Sequence, residues 1–181
     1  MRKALIILGV LTDSDVEWMC NVGKRVTFDK GDSLISEGRA LGSIYLLIDG
    51  LLEVFLQRNG KRSFLSKLHA GEFLGEISLL DDRPPTASVS ALDKSTLLSI
   101  TKEDLRVKLK SDLGFQARFY RAIGTFLAIR LRSTNLLLAG GVGHKEEESD
   151  EDVDEINLEI LEQSAIAGKR FEYLQSRIMK S

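Results

Sequence analysis

A single cysteine, Cys20, leaves the chain no partner for an intramolecular disulfide, which excludes a secreted framework stapled by disulfides. It falls in a short segment of apolar pattern and reads as a small buried hydrophobe rather than a redox thiol. Histidine is nearly as scarce. His69 and His144 stand apart from other metal-binding residue types at ligand spacing, so no metal site is expected. No Ser-His-Asp grouping, Walker loop or nucleophile elbow is present either, and enzymatic activity is not expected. Proline occurs only as the pair Pro84-Pro85, so nothing breaks a helix in the C-terminal half. No apolar run approaches the roughly 20 residues that span a bilayer. The run from Ala4 to Leu11 after Met1-Arg2-Lys3 is short for a signal peptide, and no small-x-small cleavage site follows. Leu5, Ile6, Ile7, Leu8 and Val10 are expected instead to pack on the core, in a cytoplasmic protein.

What is present is enough apolar residue, 43%, to build a core, with 29% charged residues. The 181 residues give room for one domain with appendages. The formal charge of −2 averages two unlike pieces. Residues 1–144 carry a net +4 and residues 145–181 a net −6.

Thr12-Asp13-Ser14-Asp15 supplies N-cap candidates for a short helix through Val22, closed by Gly23, so residues 1–23 form an N-terminal helical element. From Lys24 to Ile100 the texture becomes short β-rich runs punctuated by glycine: Arg25–Phe28, Ser33–Ser36, Ser43–Ile48, Leu51–Gln57, Ser63–Leu68, Thr86–Leu92 and Ser95–Ile100. Asn59-Gly60 predicts a hairpin turn, because both central residues of a type I′ turn need positive φ. Strands this short and this evenly spaced indicate a sandwich or barrel rather than a parallel sheet.

The period then turns helical. Thr101-Lys102-Glu103-Asp104 resembles a capping box opening a helix to about Lys110, and a longer helix runs over 112–138. Phe115, Phe119, Ile123 and Phe126 recur there at helical spacing and are assigned to a homodimer or partner contact. Arg118, Arg121, Arg130 and Arg132 are interleaved with them, but an acidic chain of pI near 5.8 argues against DNA as their target. A Gly-rich then acidic linker over 139–155 follows, including KEEESDEDVDE. Residues 156–181 regain an amphipathic helical pattern through Ile160, Ala167, Phe171, Leu174 and Ile178. This tail helix is expected to engage its own domain or a protein partner.

The stretch Gly71–Leu92, GEFLGEISLLDDRPPTASVSAL, resembles the phosphate-binding cassette of the cyclic-nucleotide-binding domain family. Lys30-Gly31-Asp32, Leu34-Ile35-x-Glu37-Gly38 and Ile44-Tyr45-Leu46-Leu47-Ile48-x-Gly50 agree with that family upstream. The resemblance covers about residues 12–138. It implies an α+β fold over 24–138: a β-roll, or jelly-roll-like double-stranded β-helix, over 24–100, followed by two helices over 102–138. It also implies a stand-alone bacterial member, since the stretch from Ala139 to Ser181 is too short for the winged DNA-binding domain of the family's transcription regulators.

In such a cassette a cyclic phosphate sits against backbone N–H groups at a short helix start. Carried over by position, Gly75, Glu76, Ile77, Ser78 and Leu79 match, and Thr86, Ala87 and Ser88 fill the small and hydroxyl positions. Glu76 would accept from a ribose hydroxyl, or simply complement the helix dipole. The phosphate-binding arginine is replaced by Pro85. Removing one member of a buried ion pair costs about 3–5 kcal/mol, a hundred- to several-thousand-fold in affinity. Arg83, two residues earlier, is either a substitute phosphate partner or a solvated turn residue. Three functions follow: a regulatory or adaptor module with a degenerate pocket, a genuine sensor of cyclic AMP, cyclic GMP or a related nucleotide, or a structural subunit of a larger assembly.

Overall fold

A computed structural model describes residues 5–58, 60–139 and 158–180. Two short helices open the chain, α1 (Leu5–Val10) and α2 (Asp13–Val22). Eight strands follow: β1 (Lys24–Phe28), β2 (Ser33–Ile35), β3 (Ser43–Asp49), β4 (Leu51–Arg58), β5 (Lys61–His69), β6 (Phe73–Leu74), β7 (Ser88–Ala91) and β8 (Ser95–Thr101). Helix α3 (Glu76–Leu80) interrupts them after β6, and α4 (Lys102–Ser111), α5 (Leu113–Ala139) and α6 (Leu158–Lys180) complete the described elements. Every strand pair is antiparallel. The strands form two four-stranded sheets, ordered β1-β8-β3-β6 and β2-β7-β4-β5. This is the expected β-roll with flanking helices. The strand Phe73–Leu74, too short to show a period, is the one addition to the runs read above.

Strands β3 and β8 explain how eight short strands carry two cores. Side chains alternate across a strand. Ile44, Leu46 and Ile48 of β3, with Leu98 and Ile100 of β8, point to the helices, while Leu47 and Leu97 point between the sheets. Both faces are therefore buried, which is why IYLLI reads as a continuous apolar run. The inner core adds Leu52, Val54, Leu68, Leu74 and Val89.

The helix starts follow their capping residues. Thr12 Oγ1 accepts the Asp15 N–H at 3.3 Å while Asp15 Oδ2 accepts the Thr12 N–H at 2.8 Å, a complete capping box. Thr101 Oγ1 accepts from Asp104 N at 3.0 Å and donates to its carboxylate at 2.6 Å. The β4–β5 ladder closes at Arg58 and Lys61 around Gly60, which has φ 74; Asn59 lies outside the described residues, as do the glycines at 140–143 and the acidic run at 145–155.

Helix α6 packs on its own domain. Ala167, Phe171, Leu174 and Ile178 join the core that holds Ile7, Leu8 and Met19. Arg170 Nη1 donates to the Leu8 and Gly9 carbonyls at 2.9 and 3.2 Å, satisfying the C-terminal end of α1, and its Nε pairs with Asp13 at 2.6 Å. Gln175 donates to Ile48 O and Arg25 to Met179 O. Of the two roles expected for this helix, packing on its own domain or on a protein partner, these four residues take the first. The side chain of Ile160 lies outside the described residues.

A correction concerns α5. Phe115, Phe119, Ile123 and Phe126 are covered by the same chain, in one core with α1, α2 and α6, so they are unavailable to a dimer mate. Trp18 packs on Phe115 and Phe115 on Phe119, with ring centroids 5.3 and 5.5 Å apart. Helical spacing marks an apolar face without saying whether the same chain or another covers it.

Candidate functional site

The cassette begins where β6 ends. Gly75 caps α3 with φ 84, and a Cβ there would lie 2.7 Å from Leu41 Cδ2 and 3.1 Å from Ser43 O. Only glycine fits both the backbone angle and the space. The first turn of α3 places Glu76 inward, 3% exposed, and leaves Ile77 on the rim. Helix α4 holds the other end of α3: Lys102 Nζ donates to Ser78 O, and Arg106 pairs with Asp82, a non-glycine residue at φ 56. Beyond the two prolines, Pro85 O accepts the Gly38 N–H at 2.9 Å and Ser88 Oγ accepts the Glu37 N–H at 3.0 Å. Pro85 thus fastens the cassette to the turn after β2.

Between the cassette, the inner face of β4 and β7, and α5 lies a cleft of about 670 Å³. Seven of the residues carried over from the sequence line it, Gly75, Glu76, Ile77, Ser78, Arg83, Thr86 and Ala87, whereas Leu79 and Ser88 do not. Helix α5 contributes four more that sequence reasoning missed, Leu127, Arg130, Leu131 and Thr134. Their three- and four-residue spacing was a visible stripe, but nothing local ties it to a cassette more than 40 residues upstream.

Arg130 changes the electrostatics of the cleft. Its Nη1 lies 3.0 Å from Glu76 Oε1, and its guanidinium sits over the Phe126 ring at 5.8 Å. Burial pushes the Glu76 carboxyl above its ordinary range, and the attraction of Arg130 only partly offsets this. Arg83 is exposed. Its backbone N–H bonds to Asp81 Oδ1 at 3.0 Å, and its guanidinium enters none of the ion pairs among the described residues.

Outside the cleft, Asp15 of α2 receives Arg118 of α5 in a two-pronged contact of 2.7 and 2.9 Å. Burial alone raises this carboxyl, but the hydrogen bonds from Arg118 and Thr12 prevail and hold it below its ordinary range. Burial pushes the Cys20 thiol up, as befits a packing residue. Among the described residues no cluster of His, Cys, Asp or Glu has the arrangement of a metal site, and no helix is long and apolar enough to cross a membrane.

A two-sheet roll, a glycine-capped α3 and an acid buried at its first position match a known pattern. A profile of the cyclic nucleotide-binding domain covers residues 25–112. Those residues belong to the cyclic nucleotide-binding domain family. A cAMP-dependent protein kinase regulatory subunit from Debaryomyces hansenii is 29% identical over 100 residues, 55% of this chain and 22% of that protein. A cyclic AMP receptor protein from Thermus thermophilus is 29% identical over 129 residues, 71% of this chain and 58% of that protein. The chain therefore spans less than two thirds of either relative. The crystal structure of the N-terminal domain of a transcriptional regulator from Streptomyces coelicolor A3(2) superposes with a TM-score of 0.61 at 28% identity, over 72% of this chain and 91% of that one.

Proposed function

We propose that the chain is a non-enzymatic regulatory or adaptor module that keeps the cyclic-nucleotide-binding fold, has lost recognition of the cyclic phosphate, and acts through protein contacts. The observation that carries this reading is the Glu76–Arg130 pair in a cassette that has Pro85 in place of its arginine. A cyclic phosphate entering the cleft meets no cation held by the cassette at that position. A ribose hydroxyl meets a carboxylate whose Oε1 already accepts from α5. Loss of the phosphate partner alone accounts for a hundred- to several-thousand-fold in affinity, about 3–5 kcal/mol. Calorimetric titration of the full chain with cyclic AMP and cyclic GMP tests the reading. No saturable binding is expected below about 100 μM, and a dissociation constant under about 10 μM for either overturns it.

The protein contact we assign is a homodimer through α5, by a face beside the phenylalanine face that shares Leu127 with its edge. Leu113, Ala117, Tyr120, Gly124, Leu127 and Leu131 follow one another at alternating steps of four and three, the seam of a two-stranded coiled coil. Leu113 is 73% exposed and Leu131 61%. A second copy suits this seam because a parallel pair sets Gln116 against Arg121 and Arg130 against Asn135, so that no arginine opposes an arginine.

One observation favours a second reading. Arg83 lines the cleft with its guanidinium outside every ion pair among the described residues, and a sensor of cyclic AMP or cyclic GMP would use it for the phosphate. In that case the titration shows tight binding, and Arg83→Ala weakens it by about a decade or more.

A further inference from the structure

We infer that the free edge of β5 takes up an acidic, extended segment of a partner protein as an added strand. The inference goes beyond the dimer contact on α5 and does not depend on whether the cleft binds a nucleotide.

The backbone comes first. In the order β2-β7-β4-β5, β5 stands at the margin of its sheet, and among the described residues it pairs only with β4. It is the longest strand described, at nine residues, and every residue from Lys61 to Leu65 is exposed. Such an edge presents unpaired N–H and C=O groups to solvent, a template for a further strand. Pairing between β4 and β7 ends at Phe55 and Ser88, whereas the β4–β5 ladder continues to Arg58 and Lys61. The end of the hairpin is therefore a two-stranded ribbon, marginal in water by itself, and a third strand stabilises it.

The side chains choose the partner. Arg58, Lys61, Arg62 and Lys67 stand on the two strands against a single acid, Glu53. Glu53 is taken by Arg62, and Glu37, from the turn after β2, by Arg58. Four cations against two acids leave a surplus of two. Lys61 and Lys67 carry it, since neither enters an ion pair among the described residues. Lys61 also lies directly across from Arg58, a like-charge apposition that an acid on an added strand relieves. Phe64, 47% exposed and on the opposite face from Lys61, offers that strand an apolar contact. Leu65 has no partner on β4, a bulge that limits the regular ladder to Lys61–Phe64, with Lys67 beyond it.

Two other occupants fit less well. β5 carries three cations and no acid, so a second β5 laid against the first is repelled. An anionic bilayer would need an apolar tip, but Arg58 and Lys61 end the hairpin and Phe64 lies back along the strand.

Calorimetric titration of the full chain with a peptide of alternating glutamate and valine, joined to amide hydrogen exchange, tests this. One peptide per chain is expected, with a dissociation constant under about 100 μM and slowed exchange within Lys61–Phe64. A peptide of alternating lysine and valine tests the charge. A glutamate peptide with proline in place of each valine tests the ladder, because proline lacks the backbone donor. Both should bind at least about tenfold more weakly. Lys61→Glu should weaken the glutamate–valine peptide about fivefold or more, while Lys110→Glu, the same change at an exposed residue of α4, leaves it unchanged. No binding of that peptide, equal binding of the proline peptide, or equal effects of the two substitutions overturns the inference. Protection of every amide from Lys61 to Phe64 in the chain alone also overturns it, because another segment or a second copy then holds the edge. Binding to phosphatidylserine vesicles without binding to the peptide assigns the hairpin to a membrane and overturns it likewise.

Discussion

Glu76 Oε1 and Arg130 Nη1 stand 3.0 Å apart, an acid from the first turn of α3 joined to a guanidinium from the far half of α5. The contact bridges 54 residues of sequence and ties the long helix to the cassette through the protein's own side chains. Cutting it from one end differs from cutting it from the other. Arg130→Met leaves a buried carboxylate unpaired and should cost about 2–3 kcal/mol, below the range for fully buried pairs because Arg130 reaches solvent. Glu76→Gln keeps a hydrogen-bond acceptor and should cost less than about 1 kcal/mol. Urea unfolding of the two variants and of the double variant measures the coupling, and equal costs for the two single changes would contradict the assignment.

The same pair sets a pH dependence. Because burial raises the Glu76 carboxyl in the folded state, the folded chain holds that proton more tightly than the unfolded chain. The Glu76 contribution is then fully present below the ordinary glutamate range and declines as pH rises through the raised folded value. Asp15 has the opposite sign. Its lowered carboxyl contributes stability above the ordinary aspartate range, and this is lost as pH falls through the folded value. Glu76→Gln should therefore flatten the decline on the higher-pH side, and Asp15→Asn the loss at acid pH, in denaturant midpoints followed across pH.

Gly124 and Tyr120 separate the two faces of α5. A Cβ at Gly124 meets nothing within 4 Å in the chain itself, so Gly124→Leu should leave the monomer fold intact. In a coiled-coil seam the added bulk pushes two helices apart. Light scattering should accordingly find the parent as a dimer and Gly124→Leu or Tyr120→Glu as a monomer with unchanged far-ultraviolet dichroism. Phe119→Ala should instead unfold the chain more readily, by about 3–5 kcal/mol, since Phe119 lies in the core.

Helix α6 should behave as part of the domain. Phe171→Ala is expected to cost about 3 kcal/mol, and removal of residues 158–181 to expose Ile7, Leu8 and Ile48. A thermal midpoint unmoved by either change would contradict the docking of α6 on this domain.

The β-roll and the cassette were legible because their signals are local. Positive φ at Gly75, the capping hydroxyls of Thr12 and Thr101 and the apolar run of β3 each act within a few residues. What was not legible depends on long separations. Arg130 carries no mark of its partner at position 76, and the phenylalanines of α5 look the same whether α1 or a second chain covers them. The tail helix was read as amphipathic, but its docking rests on Arg170 meeting carbonyls of α1, which no spacing rule reveals. The surviving exposed seam on the same helix was hidden by the more conspicuous aromatic one.

The hydrogen bond from Gly38 N to Pro85 O has an evolutionary meaning. It uses the backbone carbonyl of residue 85, which any amino acid supplies, so the turn it fastens does not depend on proline. Exchange of the arginine could occur without dismantling the scaffold, and the reverse exchange faces no structural barrier at that bond. Pro85→Arg should raise affinity for cyclic AMP by about a hundredfold or more in calorimetry. On the function proposed above, ligand dependence in this chain turns on a single codon, while the architecture around it persists.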